Sequence, residues 1–191
     1  MNVGLAHQRF DTPVGSLSVF ADANGVVRAA GFRPPAHVAA LLPAGLAAEG
    51  WAEGSLPHVE EAVGAWLDAD AAPLSQVPVA QAGGPFFQEV WQATRGIVAG
   101  EPVSYQEVAA AAGRPRAMRA AGTACGHNSI ALFVPCHRVI ASGGRLGQYG
   151  PGGPGIKAAL LAFEAGWGDA AVLRAGQEAS PDALAPTGGV R

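Results

Sequence analysis

The chain has 191 residues, 49% hydrophobic and 14% charged, with a net charge of −3. This is room for one large domain or two small ones with a proper core, and it is too apolar for a disordered chain. There is no apolar run of the ~18 residues a membrane span needs, no signal peptide at the start, and two cysteines make neither a disulfide framework nor a zinc motif, so a cytoplasmic protein without a membrane partner is expected.

Residues 12–32 alternate apolar positions around Asn24-Gly25, which predicts two antiparallel strands joined by a tight turn. Leu56, Val59, Val63, Trp66 and Leu67 recur at helical spacing over 55–69. Residues 71–84, with two prolines and a glycine pair, read as a domain linker. The charge changes sign there: three arginines face eight carboxylates in 1–84, and seven cations face four carboxylates in 85–168. A basic half on an acidic protein suits a module that meets phosphate, although an ordinary solvated surface could also produce it.

A helix is predicted from Pro85, with Phe87, Val90, Trp91, Thr94 and Val98 on one face and Gly100 at its end. Ser104-Tyr105-Gln106-Glu107 forms a capping box that starts a helix through Ala112. Gly113 stops it, and Pro115 opens another running to about Cys125, which together predict a helix-turn-helix. The apolar run from Leu132 reads as a buried strand leading to Pro135, Cys136 and His137. A glycine-rich loop follows over 142–155, then a final helix over about 156–165. Residues 169–191 lack any period and are expected to be a flexible tail.

On the second helix of the pair, Met118, Ala121 and Cys125 share a face that should be core, which makes Cys125 a small buried hydrophobe. Arg116 and Arg119 lie off that stripe among Ala117, Ala120 and Gly122. They read either as a solvated pair or as a helix face that approaches a phosphate backbone closely. Cys136 is held between Pro135 and His137, with a proton acceptor at hand. A thiol becomes a nucleophile when a base, a cation or a helix N-terminus favours its thiolate. His137 could serve, oriented by a carboxylate such as Glu164 and acting through a bridging water. A structural cysteine beside a structural histidine is the competing reading. His7, His37, His58 and His127 have no partners in pattern and read as structural.

The string V-P-C-H-R-V-I (134–140) resembles the active-site signature of the O6-alkylguanine-DNA alkyltransferases. G-E-P-V-S-Y-Q-E-V-A (100–109), R-A-A-G (119–122), His127-Asn128 and the N-terminal T-P-V-G-S-L are similar to that family's pattern in the same order, over about residues 10–166. The resemblance implies two domains. Residues 1–80 would form an α/β domain, ribonuclease H-like with an antiparallel sheet, and 85–168 a mainly α domain with the helix-turn-helix and the alkyl acceptor.

The implied function is direct-reversal repair. O6-alkylguanine, and by extension O4-alkylthymine, would be flipped out of duplex DNA and its alkyl group moved irreversibly and once to Cys136. His137 would deprotonate Cys136 through a water, Glu164 would orient the imidazole, and Asn128 would bridge the helix-turn-helix to the active-site turn. Tyr105 would donate to guanine N3. Arg119 would fill the gap left by the flipped base, with Arg116, Ala120, Gly122 and Ser104 along the minor groove. Val139, Tyr149 and Gly150 would form the base pocket.

No metal and no cofactor are expected, and a monomer in solution, with cooperativity on DNA left open. The loop Y-G-P-G-G-P-G-I-K (149–157) is about one residue longer than the family's stretch, which bears on alkyl-group size. The alternatives are a lesion sensor that binds without repairing, against which Cys136 counts, and a cysteine hydrolase, which leaves the arginine-bearing helices unexplained.

Overall fold

A computed structural model describes residues 4–147 and 149–166; the tail from 169 lies outside the described residues. The chain opens with a hairpin that precedes the predicted one. β1 (Leu5–Thr12) and β2 (Gly15–Asp22) pair antiparallel through a Pro13-Val14 turn, and β2 pairs antiparallel with β3 (Val27–Gly31) across the predicted Asn24-Gly25 turn. β4 (Trp51–Glu53) joins the far side of β1 in parallel, giving the order β3-β2-β1-β4. The sheet is therefore mixed rather than purely antiparallel. The strand direction reverses because the chain crosses from β3 through two short helices, α1 (Pro35–Ala39) and α2 (Ala44–Ala48), before returning to β1. α3 (Pro57–Leu67) buries Val59, Ala62, Val63 and Trp66, as its apolar spacing predicts.

The 71–84 stretch is a strap rather than a loose tether. A 3-10 turn (Ala72–Ser75) buries Leu74, Val77 is buried, and Val79 bridges Val27 at the free edge of β3. The Val27 N–H donates to the Pro78 carbonyl and the Ala80 N–H to that of Val27, which satisfies an edge that would otherwise be open.

α4 (Pro85–Arg95) buries Val90, Trp91 and Thr94 but ends at Gly96, four residues earlier than predicted. Val98 thus lies beyond the helix and is 59% exposed. α5 (Tyr105–Ala111) has the full capping box: Ser104 Oγ accepts from the Glu107 N–H, and the Glu107 carboxylate accepts from the Ser104 N–H. Gly113, at φ +75°, turns the chain toward α6 (Met118–Gly126). α6 begins three residues after Pro115, and Met118 at its start is 43% exposed, so only Ala121, Ala124 and Cys125 carry its core face.

The apolar run before Cys136 is buried but is not a strand. The Ala30 N–H donates to the Ser129 carbonyl and the Ala131 N–H to that of Ala30, which sets Ile130 at the β3 edge, and the chain then turns, with Leu132 at φ +68°. A 3-10 turn (Cys136–Arg138) leads into β6 (Val139–Ile140), which pairs with β5 (Val103–Ser104) in parallel. α7 (Gly153–Ala165) starts three residues earlier than predicted, since Pro154 suits a first helical turn. One continuous core runs from Val27 and Trp66 through Trp91 and Leu132 to Leu160. Among the described residues no helix is long and apolar enough to cross a membrane.

Candidate active site

Cys136 sits in the 3-10 turn, 3% exposed, behind the rigid Val134-Pro135 step. Burial pushes its thiol up to about 11, while a hydrogen bond from Asn128, the nearby Lys157 charge and a backbone N–H pull the other way. Asn128 Nδ2 donates to Cys136 Sγ at 3.0 Å and to the Val134 carbonyl at 2.8 Å, and its Oδ1 accepts the Ile130 N–H. Side-chain hydrogen bonds thus tie Asn128, just past the end of α6, to the 3-10 turn.

His137 is fully buried, and its Nε2 lies 3.1 Å from Glu164 Oε1. Burial opposes ionisation of Glu164, but His137 and Arg138 overcome it and hold its carboxyl far below the usual carboxylate range. The carboxylate therefore only accepts, so Nε2 carries the proton and Nδ1 is left as the basic nitrogen. Nδ1 is buried and makes no hydrogen bond among the described residues. Burial keeps the imidazole below its ordinary value against the pull of Glu164, with Arg138 and Lys157 adding to the depression. A neutral histidine is what proton abstraction needs.

Three residues that carried no role in the sequence complete this arrangement. Arg138 grips Glu164 in a bidentate pair, Nε to Oε2 at 2.8 Å and Nη2 to Oε1 at 2.7 Å, and donates to the Ile97 carbonyl. Trp66, from α3, donates its indole N–H to Glu164 Oε1 at 3.0 Å. Lys157 is fully buried and donates to the Val139 carbonyl at 2.6 Å. A sequence signal for Lys157 existed. It and Glu164 are the sole charged residues of an otherwise apolar helix and stand seven apart, on one face with Leu160.

Tyr105 opens α5, with its ring against Gly122 of α6 on one side and its hydroxyl against Gly147 of the glycine-rich loop on the other. A Cβ at Gly147 would overlap that hydroxyl, so glycine alone allows the approach. Lys157 Nζ lies 5.8 Å from the Tyr105 ring centre. Burial, reinforced by Cys125 and Cys136, raises the phenol to about 12, which keeps it a proton donor. Tyr149 is buried edge-on to His137, with its hydroxyl unbonded among the described residues, and Gly150 beside it is exposed. Val139 is buried, but its N–H donates to Cys136 and its carbonyl accepts from Lys157, so both backbone groups are already engaged within the protein. Cys125 packs in the core, and burial lifts it to about 12.

Arg116 and Arg119 are exposed on and beside α6, and neither makes an ion pair or side-chain hydrogen bond among the described residues. Ala120 and Gly122 are half-buried next to them, as is Ser104 at the α5 cap. His127 is exposed, with its ring tilted against Phe87. Among the described residues no group of three or more His, Cys, Asp and Glu could hold a metal ion.

Residues 85–166 match the family model described as the 6-O-methylguanine DNA methyltransferase, DNA binding domain. The chain is 33% identical over 166 residues to the methylated-DNA–protein-cysteine methyltransferase of Mus musculus, covering 81% of this chain and 78% of that one. It is 45% identical over 108 residues to the bifunctional transcriptional activator/DNA repair enzyme Ada of Escherichia coli, which is 56% of this chain but 30% of that longer protein. Among solved structures, Mycobacterium tuberculosis OGT in complex with DNA superposes with a TM-score of 0.68 at 30% identity, covering 88% of this chain and 99% of that one.

Proposed function

Because the chain belongs to the methylated-DNA–protein-cysteine methyltransferase family, we propose that it reverses O6-alkylguanine damage by moving the alkyl group to Cys136. The observation that carries this reading is the Asn128–Cys136 contact beside the buried His137–Glu164 pair: a thiol with a hydrogen-bond donor on its sulfur and a neutral base next in sequence.

His137 Nδ1 takes the thiol proton through a bridging water, Glu164 holds the imidazole in the required tautomer, and Arg138 holds Glu164. The sulfur attacks the alkyl carbon, the carbon–oxygen bond breaks as the carbon–sulfur bond forms, and the electron pair passes to the base. Tyr105 donates to guanine N3, so guanine leaves neutral. The thioether is not readily broken, and each molecule acts once. O4-alkylthymine is accepted by the same displacement.

In this reading α5 and α6 act as a helix-turn-helix on the minor groove, with Arg119 filling the gap as the base is flipped and Arg116, Ala120, Gly122 and Ser104 along the backbone. Two exposed arginines without an ion pair or side-chain hydrogen bond among the described residues, set among small residues, support that surface. Val139, Tyr149 and Gly150 flank the extruded base. Residues 85–168 form the DNA-binding and acceptor unit, residues 1–80 a ribonuclease H-like scaffold, and the protein works as a cytoplasmic monomer without a cofactor. The test is intact-protein mass after incubation with duplex DNA containing O6-methylguanine. A stoichiometric gain of one methyl group, absent in Cys136→Ala, is expected. Tight lesion binding without a mass change would instead favour a sensor.

A further inference from the structure

Gln81 lies in the strap between α3 and α4, 47 residues before Asn128 in sequence, yet the two side chains meet. Its own orientation is fixed by an unambiguous donor, the Ser129 N–H, which Gln81 Oε1 accepts at 2.8 Å; the Ser129 hydroxyl then donates to the same oxygen at 3.0 Å. Gln81 Nε2 is therefore turned to Asn128 and donates to its Oδ1 at 3.0 Å. That oxygen also accepts the Ile130 N–H at 3.0 Å, so both of its lone pairs are used on the side away from the sulfur. The amide nitrogen is left to face the Val134 carbonyl and Cys136 Sγ. A reversed amide would put an oxygen against both of those acceptors.

Resting on the reading of Cys136 as the alkyl acceptor, we propose that Gln81 is a positioning residue for that reaction, locking Asn128 with its N–H toward the sulfur. The strap then takes part in the chemistry as well as in the packing. A backbone N–H at Ser129 orients Gln81, Gln81 orients Asn128, and Asn128 stabilises negative charge on Cys136 as it forms.

Two near-isosteric variants test this. Gln81→Met removes the donor, and Gln81→Glu replaces it with a carboxylate that repels Asn128 Oδ1 and favours the reversed amide. Between pH 6 and 9 that carboxylate stays ionised. The other titratable groups that act on Cys136 or feel its charge are Lys157 on α7, Tyr105 on α5, Cys125 on α6 and Tyr149 in the loop, with His137 next to it in sequence, and all are retained. Single-turnover methyl transfer from O6-methylguanine duplex would be followed across that range, together with thermal unfolding and affinity for lesion-free duplex.

The expected result is a rate at neutral pH lowered on the order of 10-fold in Gln81→Glu, as a shift of about one unit in the thiol would give, and lowered less in Gln81→Met. The loss should be of similar size at every pH from 6 to 9, since the thiol titrates above that range and the acid limb belongs to His137, with unfolding temperature and DNA affinity near wild type. An unchanged rate in Gln81→Glu would overturn the inference. So would equal losses in Gln81→Glu and Gln81→Met, since that is the mark of packing alone. No methyl gain in the wild type would overturn the reading of Cys136 and this inference with it.

Discussion

Cys125 and Cys136 are both free, both buried and both pushed up by burial, to about 12 and about 11. Their neighbours separate them. Cys125 lies on the core face of α6, where the counterweight to burial is the Lys157 charge and a Cys136 thiolate would make matters worse. Cys136 has the same Lys157, an amide N–H on its sulfur, a backbone donor and a base as its next residue. Burial disarms a thiol by default. Reactivity has to be built back by donors placed one at a time, and the sequence around Cys125 supplies almost none.

The sharpest way to break that contrast is to remove each sulfur. Cys136→Ala should gain no methyl group from O6-methylguanine duplex, while Cys125→Ala should gain one per molecule and lose about 1 kcal/mol of stability at most. Methylation surviving in the first variant would dissolve the distinction.

Glu164→Gln attacks the base rather than the sulfur. Arg138 is left buried without its anion, so unfolding by urea at neutral pH should show a loss of roughly 3–5 kcal/mol. The folded-state carboxyl of Glu164 is depressed, so its contribution is present above the unfolded value near 4.5 and drains away as pH falls toward the folded value. Wild type and variant should therefore converge in stability below that pH. Transfer by the wild type should lose its rate on the acid side below pH 6.5, because burial holds His137 under that value. Glu164 raises His137, so the variant's acid limb should lie lower still.

Lys157→Met sharpens the comparison from the other side, since one cation serves both thiols. The transfer rate should fall on the order of 10- to 100-fold, with its pH profile moved upward. An unmoved profile in single-turnover assays would mean that Lys157 only packs. The smallest effect is expected from Ser104→Ala, which removes half of the capping box above Tyr105 at about 1 kcal/mol. Calorimetry would read it as a fall of a few degrees in unfolding temperature.

What the sequence made legible was local. The Asn24-Gly25 turn, the Ser104–Glu107 box, Gly113 and the Pro-Cys-His step each sit within a few residues of what they control. Length misled where propensity was weak: α4 stops at Gly96, leaving Val98 in solvent, and the Leu132 run turns once Ile130 has taken up the β3 edge. Trp66 and Gln81 were silent because each acts over a long separation, 98 and 47 residues, through the polar end of a side chain that otherwise reads as core or linker. Arg138 lay inside the recognised string, yet its carboxylate partner is 26 residues on.

α7 carries both Lys157 and Glu164, and it follows Cys136 in the chain. As the polypeptide is made, the acceptor emerges before the cation that steadies it and before the carboxylate that orients its base. A growing chain thus holds a cysteine without the oriented base, cation and carboxylate that the proposed transfer uses. On that reading, transfer from a bound lesion is armed by the docking of α7, and a half-made copy is not spent on one.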